Sequence, residues 1–338
     1  MSLNVWRIVS LGLTAVLTHG LAVGDEIFDA TSKVNMFMGV AGRGNVVVGP
    51  QLPWGSVNPS PDTPEGNSDG YSSRKKIRGF SQLHVTGTGS CGKYGQFLLS
   101  PQIGLNIAEA GHDSEKADEV AGVSEYKVRL KDFDIFCEFT PTAHAAIYRF
   151  TFPASDDAHL AIDLGRNIPE NGSAAGYAEE GEVFVQADKR EISGWGSYWG
   201  GWSAEPVRVY FAATYDTAGV GYGTWSNENI EASVATQKVA GRGDRIGAFI
   251  KFKAATNQPV LLKIAVSFKS IEQARVYLER EIPDWNYSKV EQAAKAAWAK
   301  KLGQVEVQGG SAEQISIFYS SLYNTMRMPK NRTGDNPA

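Results

Sequence analysis

The chain has 338 residues, 42% hydrophobic and 21% charged, the balance of a globular protein that lives in water. A net charge of −4 and an isoelectric point near 5.8 leave no electrostatic case for nucleic acid as a partner. The length suits one large β domain or two ordinary domains, and no stretch is long and apolar enough to predict a transmembrane helix.

Residues 1–22 read as an export signal. Arg7 precedes an apolar run from Ile8 to Leu17, too short to span a bilayer, and Gly20-Leu21-Ala22 offers small residues for cleavage. The expected product is therefore secreted or periplasmic. From Val34 to Asp69 the sequence is irregular, with Val46-Val47-Val48 as its one apolar run, expected to be a short buried strand. Trp54, in Gln51-Leu52-Pro53-Trp54-Gly55, is either a stacking platform for a sugar or an anchor in the core. Asp62 and Asp69 sit in turn-like surroundings and read as Asx turns. Arg74, Lys75, Lys76 and Arg78 form a local basic cluster, expected to be a solvated turn.

The stretch Ile77–Pro101 is the densest in candidate chemistry. Gly79, Gly87, Gly89, Gly92 and Gly95 separate Ser81, Gln82, His84, Thr86, Thr88 and Ser90 before the apolar Phe97-Leu98-Leu99. Such glycines let a ligand approach the backbone, and the short polar side chains offer donors and acceptors; the same residues also suit a plain turn between strands. Neither a dinucleotide fingerprint nor a P-loop is present. His84 is either a hydrogen-bonded structural histidine or a general acid–base, and its sequence neighbours supply no partner. The histidines are scattered without metal-binding spacing, so zinc is not expected. Cys91 and Cys137 are the only cysteines, and whether they pair is left open. The acidic run Asp113–Glu119 lacks EF-hand spacing and reads as an exposed loop.

From Tyr126 to Phe268 the pattern is nearly all β. Tyr126–Leu130, Ile135–Phe139, Ala145–Phe152, His159–Leu164, Glu182–Gln186, Val207–Ala213, Ile246–Phe252 and Val260–Phe268 are strand-length runs bounded by turn residues. With no helical period between them, they predict an antiparallel β-sandwich. Glu125, Asp132, Asp134 and Glu138 are expected to face solvent. Ser193–Trp202 is expected to be a flexible aromatic loop, whose Trp195, Tyr198, Trp199 and Trp202 either contact carbohydrate or close one end of the sandwich. After Phe268 the period becomes helical. Ser270 with Gln273, Ser288 with Glu291, and Ser311 with Gln314 fit the capping box. The first helix should run from Ile271 and stop before Pro283, and the second should end at Gly303. The third carries Ile315, Phe318, Tyr319, Leu322 and Met326 as a stripe that needs a partner. The tail, Lys330–Ala338, is polar and offers nothing to bury.

Four ordered blocks carry a family resemblance: Val34–Gly39, Val48–Gly55, Pro59–Thr63 and Gly79-Phe80-Ser81-Gln82-Leu83-His84-Val85-Thr86-Gly87-Thr88-Gly89. Together they resemble the amino-terminal domain of glycoside hydrolase family 92, a family of exo-acting α-mannosidases, and the likeness covers nearly the whole chain after residue 30. The resemblance implies a large antiparallel β-sandwich of the galactose-mutarotase-like supersandwich kind at residues 23–268. Linker helices at 269–303 and the start of a helical α/α-toroid domain at 304–338 would follow. It further implies inverting, calcium-assisted hydrolysis whose catalytic Glu and Asp, and most calcium ligands, belong to that helical domain. The chain is thus expected to be a fragment or a truncated member, with the missing domain as its intramolecular partner and mannose-containing glycans as ligands. Trp54, Ser81, Gln82, His84, Thr86 and Thr88 are the residues onto which a pocket-wall role carries over. Departures from the family pattern are Arg43 in place of a histidine, Trp54 in place of phenylalanine, and Ser90–Gln96 in place of an acidic Gly-Asp-x-Gly-Asp. They put linkage preference in question. A free-standing carbohydrate-binding module and a mutarotase using His84 are the rival readings.

Overall fold

The computed structural model describes residues 28–41, 44–64, 70–86, 94–166, 168, 177–200 and 205–335. The first strands in chain order are β1 (Ser60–Asp62), β2 (Gly79–Ser81), β3 (Leu98–Ile103), β4 (Lys116–Ala121), β5 (Tyr126–Leu130), β6 (Ile135–Pro141), β7 (Ala145–Thr151) and β8 (Ser155–Asp163). They are followed by β9 (Tyr177–Gln186), β10 (Glu191–Trp199), β11 (Val207–Tyr215), β12 (Gly221–Ser226), β13 (Asn229–Ala232), β14 (Thr236–Lys238), β15 (Ile246–Ala254) and β16 (Pro259–Ser267). Three helices close the chain: α1 (Ile271–Glu281), α2 (Tyr287–Leu302) and α3 (Ala312–Thr325).

The strands form two antiparallel sheets, as the β-rich pattern predicts. One has seven strands in the order β1-β2-β3-β8-β15-β12-β13, the other nine in the order β14-β9-β10-β11-β16-β7-β6-β5-β4. Side chains alternate across each strand, so one set from each sheet meets in a shared core. Leu99, Leu160, Ile162 and Ile250 come from the seven-stranded sheet; Val128, Phe139, Tyr148, Phe211 and Ile264 come from the other. Phe80, Tyr126, Phe139 and Tyr148 pack ring to ring, with adjacent centroids 5.0–6.5 Å apart. Cys137 lies in this core, and burial pushes its thiol well above the ordinary range. Cys91 lies outside the described residues.

The outer face of the nine-stranded sheet is partly covered by α1. Ala145 and Ile147 of β7, Ala212 of β11 and Ala265 of β16 pack against Ala274, Tyr277 and Leu278. Small residues on the sheet let the helix approach. Helices α2 and α3 pack with Ala30 and Met36 around Trp298, Leu302, Tyr319 and Tyr323. Ser270 caps α1 by accepting from the Gln273 N–H, and Ser311 with Gln314 forms a full capping box on α3. Glu281 at the end of α1 ties the helix to the β6–β7 turn through Thr142 and His144.

Several expectations are corrected. The Val46–Val48 segment is not a strand, although Val47 and Val48 are fully buried. Ser193–Trp199 is not a loop but most of β10, paired with β9 and β11. Residues 116–119 of the acidic run belong to β4. The cap of α2 is Asn286, which accepts from the Lys289 N–H, rather than Ser288. On α3, Tyr319 is buried but Phe318 is exposed, and the buried partner is Tyr323. Glu138 and Arg78 are buried in ion pairs with Arg149 and Asp113 rather than facing water.

Candidate functional site

The β1–β2 pairing sets Ser60 opposite Ser81 and Asp62 opposite Gly79. That register brings together side chains that are far apart in sequence. His84 Nε2 lies 2.8 Å from Asp62 Oδ1 and 3.1 Å from Ser81 Oγ, while its Nδ1 lies 2.7 Å from the Asn58 carbonyl oxygen. A carbonyl only accepts, so Nδ1 carries a proton and donates to it. A second proton then lies between Nε2 and the Asp62 carboxyl. Asp62 Oδ2 faces the Arg166 guanidinium at 3.7 Å. Asp62 therefore belongs to a strand and a buried ionic knot rather than to an Asx turn. It is also the acid partner of His84 that no sequence neighbour supplies.

Ser81, Gln82, His84 and Asp62 are all at most 1% exposed. Gln82 accepts a hydrogen bond from the Tyr148 hydroxyl at 3.0 Å and donates to the Phe80 carbonyl at 3.1 Å. Thr86 is buried and accepts from the Val47 N–H through its hydroxyl. The structure thus brings four of the sequence-chosen residues into one region and engages their polar groups with protein atoms. Thr88 lies outside the described residues. Chemically, this cluster is a closed brace for the segments around it, not an open acid–base pair.

Trp54 stands apart, half-buried where the sandwich meets the C-terminal segment. Its φ of 55° is a left-handed conformation uncommon for a bulky side chain. Two backbone hydrogen bonds hold it there: the Trp54 N–H donates to the Met326 carbonyl at 2.8 Å, and the Asn331 N–H donates to the Trp54 carbonyl at 2.8 Å. The Lys301 ammonium sits 4.9 Å from the centre of its ring. Backbone strain of this kind is kept where surrounding contacts over-determine it, and it clusters at ligand sites.

Gln51 pins the same seam. Its carbonyl accepts from Trp298 Nε1 at 2.7 Å, its Nε2 donates to the Arg327 carbonyl at 3.0 Å, and its Oε1 accepts from Lys330 at 2.7 Å. Arg327 is fully buried and donates to the carbonyls of Val47 at 2.5 Å and Gly49 at 3.0 Å. Gly49 is required by packing, since a Cβ there would lie 2.0 Å from the Pro59 carbonyl oxygen. Desolvation, with the charges of Arg327 and Arg332 nearby, pushes the Lys330 pKa well below the ordinary lysine range. The tail expected to bury nothing is therefore anchored. Asp335 is also buried, accepting from Ser267 Oγ at 2.5 Å and from the Phe268 N–H at 2.9 Å. Sequence inspection missed Asp62, Arg327, Lys330 and Asp335. The one available signal was charge: Asp62 lies in a segment read as turn, Lys330 and Asp335 in one read as tail, and Arg327 just past the third helix.

Among the described residues no three His, Cys, Asp or Glu side chains converge as a metal site.

The profile of the glycosyl hydrolase family 92 N-terminal domain matches residues 33–267, and that of the family 92 catalytic domain matches residues 273–338. An uncharacterized secreted glycosidase of Arthroderma benhamiae is 27% identical over 339 residues, covering 91% of this chain and 43% of its own length. Among solved structures, a family GH92 α-mannosidase of Bacteroides thetaiotaomicron in complex with mannoimidazole is similar with a TM-score of 0.79 at 25% identity. The match covers 88% of this chain and 40% of that one. A family GH92 inverting mannosidase from the same organism matches at 24% identity and a TM-score of 0.78, over 89% of this chain and 40% of its own, a likeness of fold. The chain spans about two-fifths of the length of these relatives.

Proposed function

The chain belongs to glycosyl hydrolase family 92, and from that membership we propose that it is the pocket-forming, N-terminal part of an α-mannosidase. The observation that carries the reading is the family match over residues 33–267, joined to a likeness of fold with an α-mannosidase solved in complex with mannoimidazole. Trp54 supports it from within the chain. A strained, half-buried indole held by the Met326 and Asn331 backbone is preorganised to stack on the apolar face of a pyranose. In this proposal Trp54 stands at the saccharide, and Ser81, Gln82, His84 and Thr86 brace that wall from behind.

Inverting hydrolysis adds water across the glycosidic bond with one carboxylic acid and one carboxylate base, set far enough apart to admit the water. We assign that pair, and most ligands of a calcium ion, to the helical domain whose profile begins at residue 273. When bound, calcium would supply a positive charge that orients hydroxyls of the sugar. Export belongs to the same proposal, supported by the Arg7–Ala22 pattern and by a relative described as secreted. No helix of the described residues is long and apolar enough to cross a membrane.

The test is hydrolysis of an aryl α-mannoside by a polypeptide that includes a complete helical domain, with the anomer first released identified by proton NMR. Turnover with inversion is expected from the longer polypeptide and none from these 338 residues alone. Trp54→Ala should raise KM about tenfold, a loss of roughly 1.4 kcal/mol in binding. Saccharide binding without hydrolysis by the longer polypeptide would replace this reading with that of a carbohydrate-binding module.

A further inference from the structure

Trp54 occupies a place that its own turn would give to a smaller residue. The Gly55 N–H donates to the Leu52 carbonyl at 2.9 Å, closing a four-residue turn with Pro53 second and Trp54 third. The third residue has a positive φ, here 55°, and a turn of that kind favours glycine there. A local rule broken by so large a side chain marks a conformation that the surroundings enforce.

Those surroundings come mostly from the far end of the chain. On the sandwich side, the Ala143 carbonyl between β6 and β7 accepts from the N–H groups of Ser56 at 2.7 Å and Val57 at 3.2 Å. The other contacts come from residues matched by the catalytic-domain profile. Met326 and Asn331 grip the Trp54 backbone, and between them Arg327 and Lys330 meet the Gln51 side chain. The two grips are nested. The outer residues of the strap hold Trp54, and the inner ones hold the side chain three positions before it. From α2, Trp298 donates to the Gln51 carbonyl and Lys301 lies over the indole. Gln51 is fully buried, and both ends of its side-chain amide are engaged on the strap. It does not reach a ligand itself, so any effect on one passes through Trp54.

We propose that Gln51 is a positioning residue for the Trp54 indole. It locks the Met326–Asn331 strap, and the strap holds the turn in the left-handed form that presents the ring to a saccharide. The wall is then set before the ligand arrives, by the segment that matches the catalytic domain and not by the sandwich alone. The saccharide rests on the reading of Trp54 given above; the coupling of Gln51 to Trp54 rests on the hydrogen bonds.

The experiment is a double-variant cycle in the polypeptide that includes a complete helical domain, with an aryl α-mannoside as substrate. Gln51→Leu keeps the bulk and removes both side-chain hydrogen bonds. It should raise KM about tenfold, as Trp54→Ala does, with kcat within about threefold of the parent. Combined with Trp54→Ala, it should raise KM no more than about twofold further, because its effect runs through the indole. Independent effects, about a hundredfold together, or a Gln51→Leu enzyme with the parent KM, would overturn the proposal. Should Gln51→Leu not fold, Lys330→Met removes only the bond to Gln51 Oε1 and should raise KM about threefold. That rise should vanish in the Trp54→Ala background, and its persistence there would also overturn the proposal.

A second readout needs no turnover. In the 338-residue chain with isotope-labelled tryptophan, the Trp54 indole N–H signal is identified by its loss in Trp54→Phe. Gln51→Leu should move or broaden that signal and leave the Trp225 indole, buried in a separate cluster, in place. An unmoved Trp54 signal would overturn the proposal whatever the enzyme does. A signal that moves, in a protein whose longer form turns over no mannoside, would sink the saccharide reading and leave the coupling standing.

Discussion

Replacing Glu281 by glutamine tests how α1 is fastened to the sandwich. Glu281 Oε2 accepts from Thr142 Oγ1 at 2.7 Å and the His144 N–H at 2.9 Å, and Oε1 accepts from His144 Nδ1 at 2.7 Å and Arg280 at 2.9 Å. The His144 ring is stacked on Tyr277 with centroids 4.0 Å apart, which fixes its direction. Burial alone would raise the Glu281 carboxyl, but the hydrogen bonds from His144, Thr142, the His144 backbone and Arg280 outweigh it and bring the pKa from 4.5 down to about 2. At one decade per 1.36 kcal/mol, that depression corresponds to about 3 kcal/mol of folding stability at neutral pH. The folded value lies below the unfolded one, so the contribution is present above about pH 4.5 and fades as pH falls toward about 2. Roughly 1 kcal/mol of it should be gone by about pH 3.5. Glu281→Gln keeps the shape and removes the charge. In urea titrations followed by tryptophan fluorescence, the variant should be about 3 kcal/mol less stable than the parent at about pH 7, with the gap about 1 kcal/mol narrower at about pH 3.5. A gap under about 1 kcal/mol at neutral pH, or one that does not change with pH, would show that the carboxylate is not the fastener.

Other substitutions probe the buried knots. His84→Phe leaves Asp62 facing an apolar ring and should cost about 3–5 kcal/mol in urea unfolding; a loss under about 1 kcal/mol would mean that the pair is idle. Arg327→Met strips the donors from the Val47 and Gly49 carbonyls and should cost about 3 kcal/mol. Its signature is faster amide exchange at Trp54 and Asn331, and unchanged exchange there would contradict the anchoring role. Cys137, buried and with its thiol pushed well up, should be alkylated by iodoacetamide only as fast as the sandwich unfolds. Rapid labelling of its peptide in native buffer, read by mass spectrometry, would refute that placement.

The β architecture was legible because its signals are local. Tyr126–Leu130 was bounded correctly, and the turn to helical period after Phe268 coincides with the end of β16 at Ser267 and the start of α1 at Ile271. Ser193–Trp199 was misread because its glycines looked like turn residues. Gly194 is there for packing instead: a Cβ on it would lie 2.4 Å from the Glu182 carbonyl oxygen and 2.9 Å from the Phe211 ring. A glycine demanded by a neighbouring strand is indistinguishable in sequence from one demanded by a bend. The α2 cap failed for a related reason, since Ser288–Glu291 fits the pattern but Asn286 reaches the free N–H first. In the candidate site, the glycine-rich stretch was found and its supporting residues were not. His84 meets Asp62 only through the pairing of β1 with β2, and Arg327 meets Val47 across 280 positions. No period or spacing in one chain encodes contacts of that range.

That last contact has a consequence for biosynthesis. A ribosome delivers the irregular segment between Val47 and Asn58 long before Arg327, Lys330 and Asn331, whose groups satisfy the carbonyls of Val47, Gly49 and Trp54 and the Gln51 side chain. Until those residues emerge, the early segment carries unsatisfied acceptors in a place destined for burial. The sandwich can form its hairpins as they appear, but its first-made edge stays unfinished until nearly the last residues described here have left the exit tunnel. A nascent chain stalled short of Arg327 would therefore present that edge to chaperones, and one extended past Asn331 would withdraw it.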